Sequence, residues 1–484
     1  MVEIVIDNLI RVRRCSQINS LIPTIKSMFT HSNPLFFKVR AMGYNTRNIP
    51  SKIESFWITD DYILLPRGYY YQLLNLLKES NIQFKIINKM TQCEKISVGL
   101  QACVESRAYQ LKAIEQLKAN AQQILLGPTA SGKTIIILQL IAQIKQPTII
   151  ITQRAMLFKQ WIDEINTYMK LDFKVGQIGN GHFNIKPITL AMMQTLFRLD
   201  NNDWKKINSS FGMMVNEETH HVPALENFKV INRFKCKHRY GITATLKRKD
   251  QLEFLTYATL GRGIVKIDDA DPDVQGKRIK PSLEFIYDRN INSTDEDGQD
   301  DLANMSWQEM INVLIENEQR NKHILQEVEK DLADNHSVIV LSDRVNHCLE
   351  LYNKFPNKTI ARPFVGTLDE KLKDKIKIAT RIGKIRVIFA TKNIASEGLD
   401  IPLLAALHLV TPSNNEGLLK QMVGRVSRKA DGKEVAIVKD YVDMNSSYLS
   451  ALAKKRFRYY KKMGVNLREA ANAEPLYQKK DPGL

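Results

Sequence analysis

Short apolar runs recur along this chain, and from residue 99 to 271 they alternate with stretches whose apolar residues return every three or four positions. The runs at 124–126, 148–152, 188–191, 212–215 and 240–243 are too short for helices and predict buried strands, with amphipathic helices after several of them. That alternation is the rhythm of a parallel sheet covered on both faces. It repeats further on, with strands expected at 283–287, 337–341, 359–361, 386–390, 406–410 and 434–438. The first 98 residues have another texture, with short aromatic and basic clusters. There the pattern predicts strands at 3–12, 35–44, 55–65 and 83–87 and helices at 16–29 and 69–77. An acidic tract at 295–301 reads as an exposed loop. The expected class is α/β: a small N-terminal α+β domain at 1–98, then two tandem parallel-sheet domains at 99–271 and 272–484. Two such domains in series suggest a cleft where a ligand binds.

Charge narrows the partners. The 484 residues carry 70 Lys and Arg against 52 Asp and Glu, a formal net charge of +18. Such an excess favours a polyanion, because neutralised phosphates release their counterions. Five dispersed cysteines (Cys15, Cys93, Cys103, Cys236, Cys348) have neither the pairing of a disulfide framework nor the spacing of a zinc site, which fits a reducing cytoplasm. The first residues lack a basic segment followed by a long apolar stretch, so no signal peptide is expected, and the apolar runs are too short to span a bilayer.

The densest chemical signal is Gly127-Pro128-Thr129-Ala130-Ser131-Gly132-Lys133-Thr134, set between an apolar strand and an apolar helix. Glycines let the backbone curl so that its N–H groups face a polyphosphate, and the helix N-terminus adds its dipole. In such a loop Lys133 reaches the outer phosphates of ATP and the Thr134 hydroxyl ligates Mg²⁺. A phosphate loop also needs a carboxylate at the end of a neighbouring strand for the metal, and a base for the attacking water. Asn216-Glu217-Glu218-Thr219-His220-His221 ends such a strand and offers both.

Here the chain resembles the DExH box of superfamily 2 helicases, with Glu217 where that family has Asp. The resemblance implies that Glu217 serves the metal, Glu218 is the catalytic base and His220 links the domains. Other segments follow in the family's order. Arg107, Tyr109 and Gln110 resemble the segment that recognises adenine, and Gln153, Arg154, Gln160, Trp161, Gln194 and Thr195 match positions that contact a nucleic-acid backbone. Gly241 to Thr245 resembles the motif that couples hydrolysis to movement. Beyond residue 272, Arg344 and Thr391 stand in segments similar to motifs IV and V, the latter running through Gly398 and Asp400, which are counted with the nucleotide-binding residues. Gln421-x-x-Gly-Arg425-x-x-Arg428 matches the family's arginine motif, which implies that Arg425 and Arg428 stabilise the charge on a transferring phosphoryl group.

Within superfamily 2 the motif wording is most similar to the XPB and restriction-translocase cluster, and the layout to the phage UvsW-type branch-migration helicases. The resemblance implies two RecA-like domains and an ATP- and Mg²⁺-dependent helicase or translocase on branched or duplex DNA, without an obligate protein partner. An RNA motor, a DNA-binding scaffold with weak ATPase activity because of Glu217, and the motor subunit of a restriction complex remain open alternatives. In the first 98 residues, the cations Arg11, Arg13, Arg14, Lys38 and Arg40 with Phe36, Phe37, Tyr69, Tyr70 and Tyr71 either contact nucleic acid or form an ordinary core and a solvated surface.

Overall fold

β-branched residues have few side-chain rotamers to lose and pack well on a pleated surface, so the Ile and Val runs become the central strands. The structure, a computed structural model, describes residues 1–128, 131–246, 248, 250–276, 278–291, 301–397 and 401–467. Of the acidic tract, 295–300 lie outside these residues, and Asp301 opens a short helix, Asp301–Asn304. Two compact units divide the chain, Met1–Asp271 and Pro272–Leu484.

The first unit begins with β1 (Val2–Ile6), β2 (Leu9–Arg13), β3 (Trp57–Ile58), β4 (Tyr62–Pro66) and β5 (Phe84–Asn88), in the order β3-β4-β2-β1-β5. The run expected as one strand at 3–12 is a hairpin. Asp7 and Asn8 make its turn, and Asp7 Oδ1 accepts the Leu9 N–H at 3.2 Å. The stretch 35–44 is a helix, Pro34–Ala41, rather than a strand. Asn33 caps it by accepting the Leu35 N–H, and Pro34 occupies the first turn, where its missing N–H costs nothing. The helix expected at 16–29 breaks at Leu21, just ahead of Pro23. Ile4, Ile10, Phe29, Ile63 and Leu73 pack in one core with Phe228, Leu255 and Ala258, so this sheet shares its interior with the segment that follows it.

The larger sheet contains β6 (Gln122–Leu126), β7 (Thr148–Thr152), β8 (Gly176–Gly179), β9 (His182–Asn184), β10 (Ile188–Met192), β11 (Met213–Glu217), β12 (His238–Thr243) and β13 (Ile264–Lys266). Their order is β9-β8-β10-β7-β11-β12-β6-β13, parallel except for the edge pair β8–β9. The register sets the carboxyl ends level: Thr152 pairs with Met192, Glu217 with Ile242, and Thr243 with Leu126. Ligands of open parallel sheets bind outside this edge.

The second unit is an all-parallel sheet of β14 (Ser282–Asp288), β15 (Val338–Ser342), β16 (Ala361–Phe364), β17 (Val387–Thr391), β18 (Ala406–Leu409), β19 (Ile437–Asp443) and β20 (Asn466–Leu467), in the order β16-β17-β15-β18-β19-β14-β20. The strand expected at 434–438 starts later and runs on through Lys439, Asp440 and Asp443, all of them buried. Each charge has a partner. Arg456 grips Asp440 through two hydrogen bonds of 2.8 Å, Arg320 holds Asp443 at 2.6 Å, and Lys439 lies 3.1 Å from both Glu327 and Asp331.

Removing one partner of such a pair strands the other charge without water. Arg456→Ala is expected to destabilise the second unit by about 3–5 kcal/mol, read as a lower urea midpoint. Arg456→Lys, which cannot make the two-pronged contact, should recover only part of the loss.

Candidate active site

Three segments meet at the carboxyl edge of the larger sheet. After β6 the chain enters the loop whose last residue, Gly132, has φ 68° and ψ 30°, a left-handed conformation natural to glycine, and caps the helix Lys133–Ile144. Space matters there as well, because a Cβ at Gly132 would lie 2.6 Å from Gln110 Nε2. The segment at 107–110 is tied to this loop: the Tyr109 hydroxyl donates to the Ser131 carbonyl at 3.0 Å, and Gln110 Oε1 accepts the Arg107 N–H at 3.0 Å. Ser131 Oγ donates to the Pro128 carbonyl at 2.8 Å, and Lys133 Nζ donates to the carbonyls of Gly127 and Pro128 at 2.8 and 2.7 Å. The Gly127 N–H donates in turn to the Thr243 carbonyl at the end of β12, at 3.1 Å. Thr134 lies one residue into the helix. Thr129 and Ala130 lie outside the described residues, as do Gly398 and Asp400.

The acidic turn follows β11. Glu218 has φ 48°, a strained value for a residue with a side chain, and leads into the tight turn Thr219–His221. Under this turn β12 carries Gly241, where a Cβ would come within 2.5 Å of Thr219 Oγ1, so only glycine lets the turn sit down on the sheet. His220 Nδ1 lies 3.1 Å from Glu218 Oε2 and 3.0 Å from Thr243 Oγ1. Thr243 Oγ1 also donates to the Thr245 carbonyl at 2.7 Å. His220 thus bonds to the acidic turn and to the Gly241–Thr245 segment, and its carbonyl accepts from Arg248.

The two carboxylates titrate apart. Burial, reinforced by the charge of Glu218, pushes Glu217 up to about 8, and the Trp161 hydrogen bond and Lys133 only partly offset this. Burial also acts on Glu218, but the hydrogen bond from His220 and the charges of His220, Lys133 and His221 outweigh it and hold that carboxyl below its ordinary value. One acid that keeps its proton beside one that gives it up is a common arrangement for acid–base chemistry.

Trp161 was expected at a nucleic-acid contact and instead is buried, donating its indole N–H to Glu217 Oε2. The signal was present in the sequence, since Leu157, Phe158, Trp161 and Ile165 share the buried face of one helix. Its neighbour Gln160 donates to Glu164 at 2.7 Å. The other candidate contacts group as the sheet dictates. β7 and β10 end side by side, bringing Gln153 and Arg154 beside Gln194 and Thr195, and Gln194 Nε2 donates to the Gln153 carbonyl at 2.8 Å.

In the second unit β15 and β17 end together, with Ser342 opposite Thr391. Next to them Lys392 donates to Asp343 at 2.9 Å and to the Pro412 carbonyl at 2.8 Å, and burial lowers its ammonium to about 8. Arg344 opens the helix Val345–Lys354. Gln421 is buried on the helix Glu416–Val426, with Arg425 in its last turn and Arg428 just beyond. Sequence reasoning missed the residue that holds this end in place. Lys433 Nζ donates to the carbonyls of Val426, Arg428 and Pro402 at 2.6, 2.9 and 2.8 Å, and burial lowers it to about 7. A lone lysine after a loop carries no pattern that could have revealed it.

Glu217 keeps its proton up to about pH 8 in the folded chain against an ordinary value of 4.5. The folded state therefore binds more protons in this window, and stability falls as pH rises through it. Glu217→Gln, which cannot ionise, is expected to melt several degrees above the parent at pH 8, with the gap closing towards pH 5, in thermal unfolding followed across pH. A gap of equal size at both ends would contradict the buried carboxyl.

Residues 104–248 match the family model described as type III restriction enzyme, res subunit, and residues 319–430 match the helicase conserved C-terminal domain. A putative ATP-dependent RNA helicase of Acanthamoeba polyphaga mimivirus is 26% identical over 467 residues, covering 94% of this chain and 85% of the relative. The DNA 3'-5' translocase XPB2 of Sulfurisphaera tokodaii is 24% identical over 378 residues, covering 69% and 81%. The crystal structure of T4 UvsW aligns with a TM-score of 0.41 and 20% identity, over 96% of this chain and 98% of that one. With these two models matched in order along one chain and together covering more than half of it, this protein is an ATP-hydrolysing, nucleic-acid-binding helicase of superfamily 2 with XPB-like relatives.

Proposed function

We propose that this helicase is an ATP- and Mg²⁺-dependent translocase acting on branched or duplex DNA. The observation that supports it most is the bonded assembly at one sheet edge, in which the Lys133 loop, Glu218, His220 and Thr243 are joined through the Gly127–Thr243 and His220–Thr243 contacts. In this reading the backbone of 127–132 and Lys133 hold the polyphosphate, and Arg107, Tyr109 and Gln110 serve the base. Thr134 and Glu217 hold Mg²⁺, which supplies positive charge to the phosphates when bound. The chemistry of the donors fits a divalent cation: two carboxylates stand together, and burial, reinforced by the charge of Glu218, raises Glu217 to about 8. Glu218, kept ionised, takes the proton of the attacking water. Arg425 and Arg428 stabilise the charge of the transferring phosphoryl group, and Gln421, of the same motif, is counted with the catalytic residues. Gln153, Arg154, Gln194, Thr195, Arg344 and Thr391 grip the nucleic-acid backbone, so binding is salt-sensitive and largely independent of sequence.

The net charge of +18 supports a nucleic-acid partner, and the relative named as a DNA translocase favours DNA. The layout 1–98, 99–271 and 272–484 gives the motor an N-terminal domain that directs it to a DNA structure, and the protein works in the cytoplasm. The mimivirus relative carries an RNA helicase name, so the nucleic acid is the point to test. ATP hydrolysis is expected to rise roughly tenfold, about 1.4 kcal/mol of barrier, with DNA. The rise should be greatest with a four-way junction and absent in Lys133→Ala. Stimulation by RNA of the same sequence but not by DNA would overturn the DNA reading.

A further inference from the structure

The opposite edge of the same sheet carries a second charged surface. A groove of about 840 Å³ lies where β11 and β12 begin, lined by Lys89, Thr91, Lys205, Asn208, Arg233 and Lys235 together with Asn8, Asn201, Trp204 and Ser209. Four of these are cations, and none of the described residues lining it is a carboxylate. Asp7 approaches from the side, 3.7 Å from Lys235 Nζ, and also pairs with Arg11.

The groove is built rather than merely charged. The Arg233 guanidinium lies 4.6 Å above the Trp204 ring and donates to Asn201 Oδ1 at 2.8 Å, which fixes its direction. Asn208 joins three segments: its Oδ1 accepts the Lys235 N–H at 2.8 Å, its Nδ2 donates to the Arg233 carbonyl at 3.1 Å, and its carbonyl accepts the Thr91 hydroxyl at 2.7 Å. Lys89 and Lys205 are exposed on the flanks. An oriented guanidinium with three ammonium groups along an open trough suits a phosphodiester backbone, whose charges repeat along a line.

Position says which backbone. β12 spans His238–Thr243, so the groove and the motif edge are separated by a strand length of roughly 17–20 Å at ~3.3 Å per residue. A strand crossing the motif edge does not also fill this groove. We propose that the groove holds the backbone of a second duplex arm of a branched DNA while the first is gripped at the motif edge. This rests on the DNA-translocase reading and adds where the extra arm goes.

The double variant K89E/K205E changes only two exposed side chains. Binding is measured without nucleotide, on a four-way DNA junction and on single-stranded DNA, across a salt series. The junction is expected to bind about tenfold or more weakly with its salt slope reduced by about 2, one for each lost phosphate contact, while single-strand affinity is unchanged. Unchanged junction affinity, or an equal loss on both DNAs, would overturn the groove. Hydrolysis by the parent protein is read separately: failure of any DNA to stimulate it sinks the translocase reading, while the binding comparison still decides the groove.

Discussion

A parallel strand leaves its last carbonyls and the side chains that follow at one edge, and in the first unit that edge is level across β6, β7, β10, β11 and β12. The first unit's share of the candidate site hangs from it. The phosphate-type loop leaves β6, the acidic turn leaves β11, and Thr243 at the end of β12 bonds to both, through its carbonyl to Gly127 and through its hydroxyl to His220. Register therefore does more than stabilise the sheet. A slip by one residue would turn Glu217 to the other face and part His220 from Thr243. Gly241 belongs to the same constraint, since the turn above it needs the room of a missing Cβ.

The second unit solves a different problem with the same architecture. Its strand β19 carries three charges into the interior, and each is met by an opposite charge from a helix, with Arg456, Arg320 and Glu327 as the partners. Desolvation makes such pairs poor sources of net stability, but it punishes any misplacement severely. Lys433 acts similarly at close range, using a buried ammonium to gather three carbonyls beneath the turn that ends in Arg428.

Much of this was legible from residue order because burial on both faces makes parallel strands read as unbroken apolar runs, as at Thr148–Thr152. The loop at 127–134 was legible because its glycine meets a backbone demand that the structure displays at Gly132. What escaped depended on long-range partners. The strand expected to end at 438 runs on to Asp443 because its charged residues are met by Arg456 and Arg320, partners that lie outside the run itself. The stretch at 35–44 misled because its aromatic residues have strand character, while the decisive signals were the cap at Asn33 and the proline after it. Trp161 was assigned by its position in a motif, whereas its helical phase pointed inward, onto Glu217.

The proposed role of Glu218 is that of the ionised group that takes a proton from water beside a bound polyphosphate. The most direct test is single-turnover ATP hydrolysis by the parent and by Glu218→Gln in saturating DNA, with ATP affinity measured in parallel. A general base contributes on the order of 10²–10⁴ in rate. The variant is predicted to bind ATP as the parent does and to turn it over at least about a hundredfold more slowly. Turnover in Glu218→Gln equal to that of the parent would contradict the account.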